Sequence, residues 1–242
     1  IPNNTPPKPV PNQGQNIAAG VIFDYLLPDN WADTSLLTLE ISDLFQNKIR
    51  TFTNRVDSTF KTWEGGPPKP VYLSAKPGHN RFNWDLRTNA IPAVKEVFAL
   101  GDYRGHRVNV GDYLFKMYTA EDTTVAMVNI RPDPRLQVDL QAHGAQQIML
   151  MRVDNVLRDL QSSVNRVRDL KLQLKRKLSY LKEIENTEEL TKLGENTLKN
   201  ITKWESTLIQ AEQKTFQDVI NFPNQLNTEL FHLMLEIDQH DP

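Results

Sequence analysis

At "RPDPR", residues 131–135, the hydrophobic period of the chain changes, and nothing else in its 242 residues constrains the fold as strongly. Before this point apolar and polar residues alternate. After it, apolar residues recur every three or four positions. Alternation sends one side of an extended strand into a core, whereas the longer spacing sends one stripe of a helix there. A chain holding both in this order is predicted to be α+β with two domains: an antiparallel β-sandwich over 17–135 and an antiparallel bundle of three helices over 136–242.

The strand half divides cleanly. "AGVIFDYLL" (19–27) runs into Pro28-Asp29-Asn30, "LLTLEISD" (36–43) and "NKIRTFT" (47–53) form a hairpin, and "GDYLFKMYT" (111–119) with "TTVAMVNIRPD" (123–133) forms another. In "KPGHNRFNWDLR" (76–87) Pro77-Gly78 reverses the chain. Phe82, Trp84 and Leu86 are then expected inward, with Arg81, Asn83 and Arg87 outward. Pro- and Gly-bearing loops at this spacing favour a sandwich. Segment 88–108 has no period; "AVKEVFAL" fits either a short helix or a loop crossing the sandwich end.

The helical half is predicted at about 140–184, 188–214 and 223–239. The first stripe is Met149, Val153, Val156, Leu160, Val164, Val167, Leu170, Leu174, Leu178 and Leu181, on a helix of roughly 40 residues or ~60 Å. The second is Leu190, Leu193, Thr197, Ile201, Trp204, Leu208 and Ala211, after an N-cap and acidic first turn at Asn186-Thr187-Glu188-Glu189. The third helix is expected to start at Asn221-Phe222-Pro223, with Leu226, Leu230, Leu233 and Ile237 inward. Residues 166–182 hold seven Lys/Arg and one Asp, and 183–195 hold five Glu and one Lys. Opposite charges in adjoining helix ends suit both dipoles and are expected to neutralise one another.

Composition narrows the functional classes. A net charge of −2 lacks the basic surface that nucleic acid requires, and no apolar run approaches the length of a membrane span. With no cysteine there is no disulfide, thiolate metal site or cysteine nucleophile. Five of the first 11 residues are Pro, so 1–16 reads as an extended linker, and a linker at the very start suggests a larger upstream part. His79, His106, His143, His232 and His240 show no metal-ligand spacing, and no cofactor motif is present.

Asp85, Asp102 and Asp112, near strand ends, are the nearest candidates for a glycosidase-like carboxylate pair, and also ordinary turn residues. Trp31, Trp63 and Tyr103 lie in loops, where they could stack on sugar rings or fold back onto the core. Ile148, Met149, Met151 and Val153 belong to the most apolar stretch of the tail. They are expected to pack against the third helix, the sandwich or a protein partner.

Taken together, "LTLEISDLFQNKIRTFT", "KPGHNRFNWDLR" and "GHRVNVGDYLFKMYTAEDTTVAMVNIRPDPR" resemble the C-terminal region of large bacterial sortilin-like, Asp-box (BNR) β-propeller proteins, often labelled glycosyl-hydrolase-like. The resemblance covers about residues 17–135; Ser163-Val164-Asn165-Arg166-Val167-Arg168 and Phe222-Pro223 extend it more loosely. It implies an immunoglobulin/fibronectin-like sandwich with a helical tail, an upstream β-propeller, and an extracytoplasmic site of action. Val110 stands where the family usually has Pro, and no Asp-box repeat occurs, so no catalytic residue carries over. The expectation is a non-enzymatic scaffold or docking part of an exported protein, with another envelope protein as partner. The alternative is a carbohydrate-binding accessory module.

Overall fold

The computed structural model describes residues 19–32, 34–135 and 139–239, so the Pro-rich linker at 1–16 and His240 lie outside the described residues. Its elements are β1 (Val21–Leu27), β2 (Thr38–Asp43), β3 (Lys48–Thr53), β4 (Gly78–Trp84), β5 (Gly111–Tyr118), β6 (Thr123–Ile130), α1 (Leu140–Leu181), α2 (Glu188–Leu208) and α3 (Leu226–Gln239). The protein is therefore α+β. All strand pairs are antiparallel: β1 with β4 in one sheet, and the order β3-β2-β5-β6 in the other.

Alternation is plain on β1 and β4. On β4, Asn80, Phe82 and Trp84 are buried while His79 and Arg81 are exposed. The inward residues of both sheets share one core of Leu27, Leu39, Ile41, Phe52, Phe82, Trp84, Tyr113 and Phe115, with Leu73 added from the β3–β4 connection. Its rings meet edge-on or tilted, the arrangement their quadrupoles favour: Phe52 with Phe82 at 4.8 Å and Phe23 with Phe115 at 5.5 Å. These contacts set β4 over β3 and β1 over β5. A two-stranded sheet cannot cover four strands, and β6 is left exposed for most of its length.

The alternation predicted through residue 87 stops at Trp84. Leu86 has φ +60°, a left-handed backbone that reverses the pleat, and it is only half-buried. Arg87, expected outward, is consequently turned inward and buried at 7% exposure. The Trp84 indole N–H locks this turn by donating to the Arg87 carbonyl at 2.9 Å.

Helix ends also differ from expectation. Asp139 caps α1, accepting from the Gln141 and Ala142 amides. Thr187 precedes α2, but its hydroxyl donates back to the Leu181 and Ile184 carbonyls, closing α1 rather than opening α2. The second helix stops at Leu208, because Ile209 turns extended and is buried; Ala211 lies beyond it. A 3-10 turn, Phe216–Ile220, follows, and α3 begins at Leu226 rather than at Pro223.

The inward face of each long helix is rotated from the predicted stripe. On α1 Leu150, Leu157 and Gln161 are buried with Val153, Leu160 and Val164, while Met149, Val156 and Leu170 are exposed. On α2 the covered positions are 191, 194, 198, 201, 205 and 208, so Leu190, Leu193 and Trp204 face outward. Two residues set this rotation. A Cβ on Gly194 would sit 2.6 Å from Leu178 Cδ2, so the close approach of the helices there needs glycine, and Glu205 faces Arg168 and Lys171 of α1.

Candidate functional site

Segment 88–108, which has no period, forms no helix; it is the clasp between sheets and helices. Ile91, Ala99 and Tyr103 pack with Leu150, Val153 and Leu157 of α1 and Phe231 and Met234 of α3. Val94 and Val97 pack with Leu160, Val164 and Ile209. An irregular segment can be buried only if its backbone polar groups find partners. Here α1 supplies them from one polar stripe. Arg158 donates to the carbonyls of Asn89 and Ala90, Gln161 accepts from the Val94 amide, Asn165 donates to Ala93 and Arg168 to Lys95. The "SVNRVR" text thus marks a side-chain ladder holding a loop.

Ionic groups fasten the same junction. Arg87 donates to the Gly105 carbonyl at 2.9 Å and to Asp238 of α3 at 3.2 Å. His106 Nδ1 stands 3.7 Å from Asp154 Oδ2, and both residues are buried. Burial pushes the Asp154 carboxyl up, but the neighbouring His106 and Arg158 side chains more than offset that and hold it below the ordinary carboxylate value.

The candidate carboxylates are bound into such pairs. Asp85 accepts from Arg50 at 2.8 Å, and Asp112 accepts from Asn129 at 2.7 Å. Asp102 takes Arg104 at 2.7 Å; burial acts upward on its carboxyl, and Arg104 and Arg87 overcome it, keeping the group depressed. A depressed carboxylate is a weak general base and the opposite of a poised general acid. Among the described residues no group of three His, Cys, Asp or Glu is placed to hold a metal ion. No helix described is long and apolar enough to cross a membrane.

The three loop aromatics have separate fates. Tyr103 is 2% exposed and stacks edge-on against Phe231 at 4.7 Å, inside the clasp. The Trp63 indole donates to the Val97 carbonyl at 2.8 Å. Trp31 differs: its indole nitrogen is buried without a partner, and it lines a cleft of ≈ 680 Å³ with Leu26, Tyr118, Glu121 and Asp122.

Of the four apolar residues expected to pack, only Val153 does so in this chain, at 6% exposure in the clasp. Ile148, Met149 and Met151 are 55%, 45% and 48% exposed. Farther along, α1 leaves the clasp after Arg168 and runs ~20 Å more with only α2 beside it. We call this hairpin the arm. Its buried residues are few, Leu178 and Gly194 where the helices touch and Glu205 at the base. Leu170, Leu172, Tyr180, Ile184, Leu190, Leu193 and Trp204 are exposed on it.

Direct ion pairs sit at the base of the arm. They join Glu205 to Arg168 at 2.6 Å and to Lys171 at 3.0 Å. Among the described residues no ion pair links 175–182 with the glutamates of 183–195. Lys171, Lys175, Lys199 and Lys203 line an open groove along the shaft. Sequence reasoning missed this outward face because it assigned the most apolar stripe to the core.

No family model, no curated protein and no solved structure matches the chain.

Proposed function

We propose that this chain is a non-enzymatic structural and interaction module of a larger exported bacterial protein. Its two-sheet unit is an immunoglobulin/fibronectin-like sandwich, and its helical arm docks a protein partner of the same cell-envelope assembly. The arm carries this reading: two amphipathic helices leave the clasp, meet through a thin seam, and hold seven large apolar side chains outward. Apolar surface gathered on one projecting element marks an interaction site. The lysine groove beside it suits a partner whose apolar ridge is flanked by carboxylates. The resemblance in 17–135 supports the exported setting and an upstream β-propeller as neighbour within the protein. Pairing of Asp85 and Asp102 with arginines supports the non-enzymatic reading.

The test compares wild type with Leu170→Asp/Leu193→Asp, both on the outer face. Loss of the co-purifying partner at unchanged melting temperature is expected. Equal recovery of the partner by both proteins overturns the docking role.

A second reading, carbohydrate binding, is favoured by one observation: the unpartnered indole N–H of Trp31, which packs on the sheet core and lines an end cleft with Glu121 and Asp122. Stacking on an aromatic face with carboxylates accepting hydroxyl protons is sugar-binding chemistry. Quenching or a shift of Trp31 emission on titration with oligosaccharides, lost in Trp31→Ala, would support it; no response across the series removes it.

A further inference from the structure

The two edges of the four-stranded sheet are treated differently. At β3 the chain covers the edge: Leu73 donates to the Thr53 carbonyl, Asn89 donates to Ile49, and the Thr51 amide donates to the Asn89 side chain. At β6 nothing does. Among the described residues, the β6 backbone from Thr124 to Ile130 hydrogen-bonds to β5 and to no other segment. The strand is eight residues long, "TTVAMVNI", with no proline and no charge. Val125 and Met127 are 56% and 69% exposed on its outer side. Thr124 and Ala126 are also exposed, although they pair with inward-facing Met117 and Phe115. Natural sheets blunt such an edge with charge, proline, a bulge or a cover, because unpaired amides and carbonyls recruit another strand.

We propose that β6 pairs with β6 of a second copy of this chain, making one continuous eight-stranded sheet. Antiparallel pairing of two identical edges needs a two-fold axis normal to the sheet, which keeps the same face up in both copies. Paired residue numbers must then sum to an even value. Centred on Ala126, the register sets Val125 against Met127 of the other copy on the outer face and Thr124 against Val128 on the inner face. The smallest side chain, Ala126, meets itself on the axis. The same register brings Arg131 of each copy to Glu121 and Asp122 of the other. Among the described residues Arg131 and Glu121 form no ion pair within their own chain, so the charge complementarity at both ends is available to a partner. Pro132, without an N–H, ends the ladder directly after Arg131. The occupant is a second copy because the edge is self-complementary in apolar pairs and in charge. This site is independent of the arm.

Because the chain has no cysteine, single thiols can read the register. Under mild oxidation Ala126→Cys is expected to form a disulfide-linked dimer, since directly opposed strand residues lie ~5 Å apart. Thr124→Cys is expected to stay unlinked, because its copies are displaced by ~13 Å along the strand. In light scattering over a concentration series the wild type should approach twice 27.8 kDa. Ala126→Lys should hold it at the monomer mass with unchanged melting temperature. Arg131→Glu should weaken the dimer, and Arg131→Glu/Glu121→Lys should restore it. A wild type that stays monomeric at every concentration overturns the proposal, as does an Ala126→Lys dimer as tight as wild type. Linkage through Thr124→Cys but not Ala126→Cys overturns the register.

Discussion

The clasp and the arm use the same helix for opposite purposes. As far as Arg168 α1 is surrounded: Leu157, Gln161 and Val164 are each fully buried, covered by the irregular 88–108 segment and by α3. Beyond Arg168 the same helix runs beside α2, and among the described residues Leu178 is the one large side chain it buries there. The lesson is that a regular helix needs only an apolar stripe, but a rigid junction needs that stripe plus partners for every buried backbone group. Arg158, Gln161, Asn165 and Arg168 provide those partners on one side of α1, and the arm has nothing equivalent.

If this contrast holds, the largest effect belongs to Phe231→Ala. It removes a ring packed against Tyr103 at the centre of the clasp and should cost ~3–5 kcal/mol in denaturant unfolding. A loss under ~1 kcal/mol would break the comparison. Next is Gly101→Ala, whose Cβ would fall 2.4 Å from Phe231 Cγ and 2.6 Å from its Cβ. Displacing α3 should cost ~1–3 kcal/mol by overpacking. Urea unfolding of both variants checks whether they act on one cooperative unit.

Acid should strip the arm's base. Burial works to raise the Glu205 carboxyl, but Arg168 and Lys171 hold it below its ordinary 4.5. A carboxylate with a depressed folded value stabilises fully above its unfolded value and loses that contribution as pH falls through the lower one. The difference in melting temperature between wild type and Glu205→Gln should therefore be constant above about pH 5 and shrink below about pH 4. A difference that grows on acidification would reverse the assignment. The smallest effect is expected from Leu193→Ser on the outer face of the arm, within ~0.5 kcal/mol of wild type. Hydrogen exchange should likewise be faster in 172–200 than in 150–164, since the arm's amides are backed by so few apolar contacts.

Strands with one face on the core were legible, as on β4, where alternation survives in Phe82 and Trp84. In the β4 stretch the register departed at Arg87, buried after a positive φ at Leu86 that left no trace in a leucine. Helix positions were legible and helix faces were not. On α2 hydrophobicity pointed to Leu190, Leu193 and Trp204, whereas the contact was decided by the smallest residue, Gly194, and a charged one, Glu205. The clasp was hidden for a related reason. Its apolar residues follow the shape of two helices far away in sequence, so they have no period of their own. Among the candidate site residues, exposure divided what residue type could not. Ile148, Met149 and Met151 remained outside, while Val153 and Tyr103 went to the core.

The pairing of Arg87 with Asp238 spans 151 residues and has a consequence in time. During synthesis the two-sheet unit has its own core complete once β6 has emerged. Ile91, Ala99 and Tyr103 can then be covered only on one side, by Leu150, Val153 and Leu157 of α1, until α3 arrives with Phe231 and Met234. Contacts this distant in sequence form slowly, and apolar surface that waits is surface that misassembles. The last helix is thus the latch of the molecule: a chain released before residue 226 keeps its sheets and α1 but lacks Phe231 and Met234, which complete the clasp.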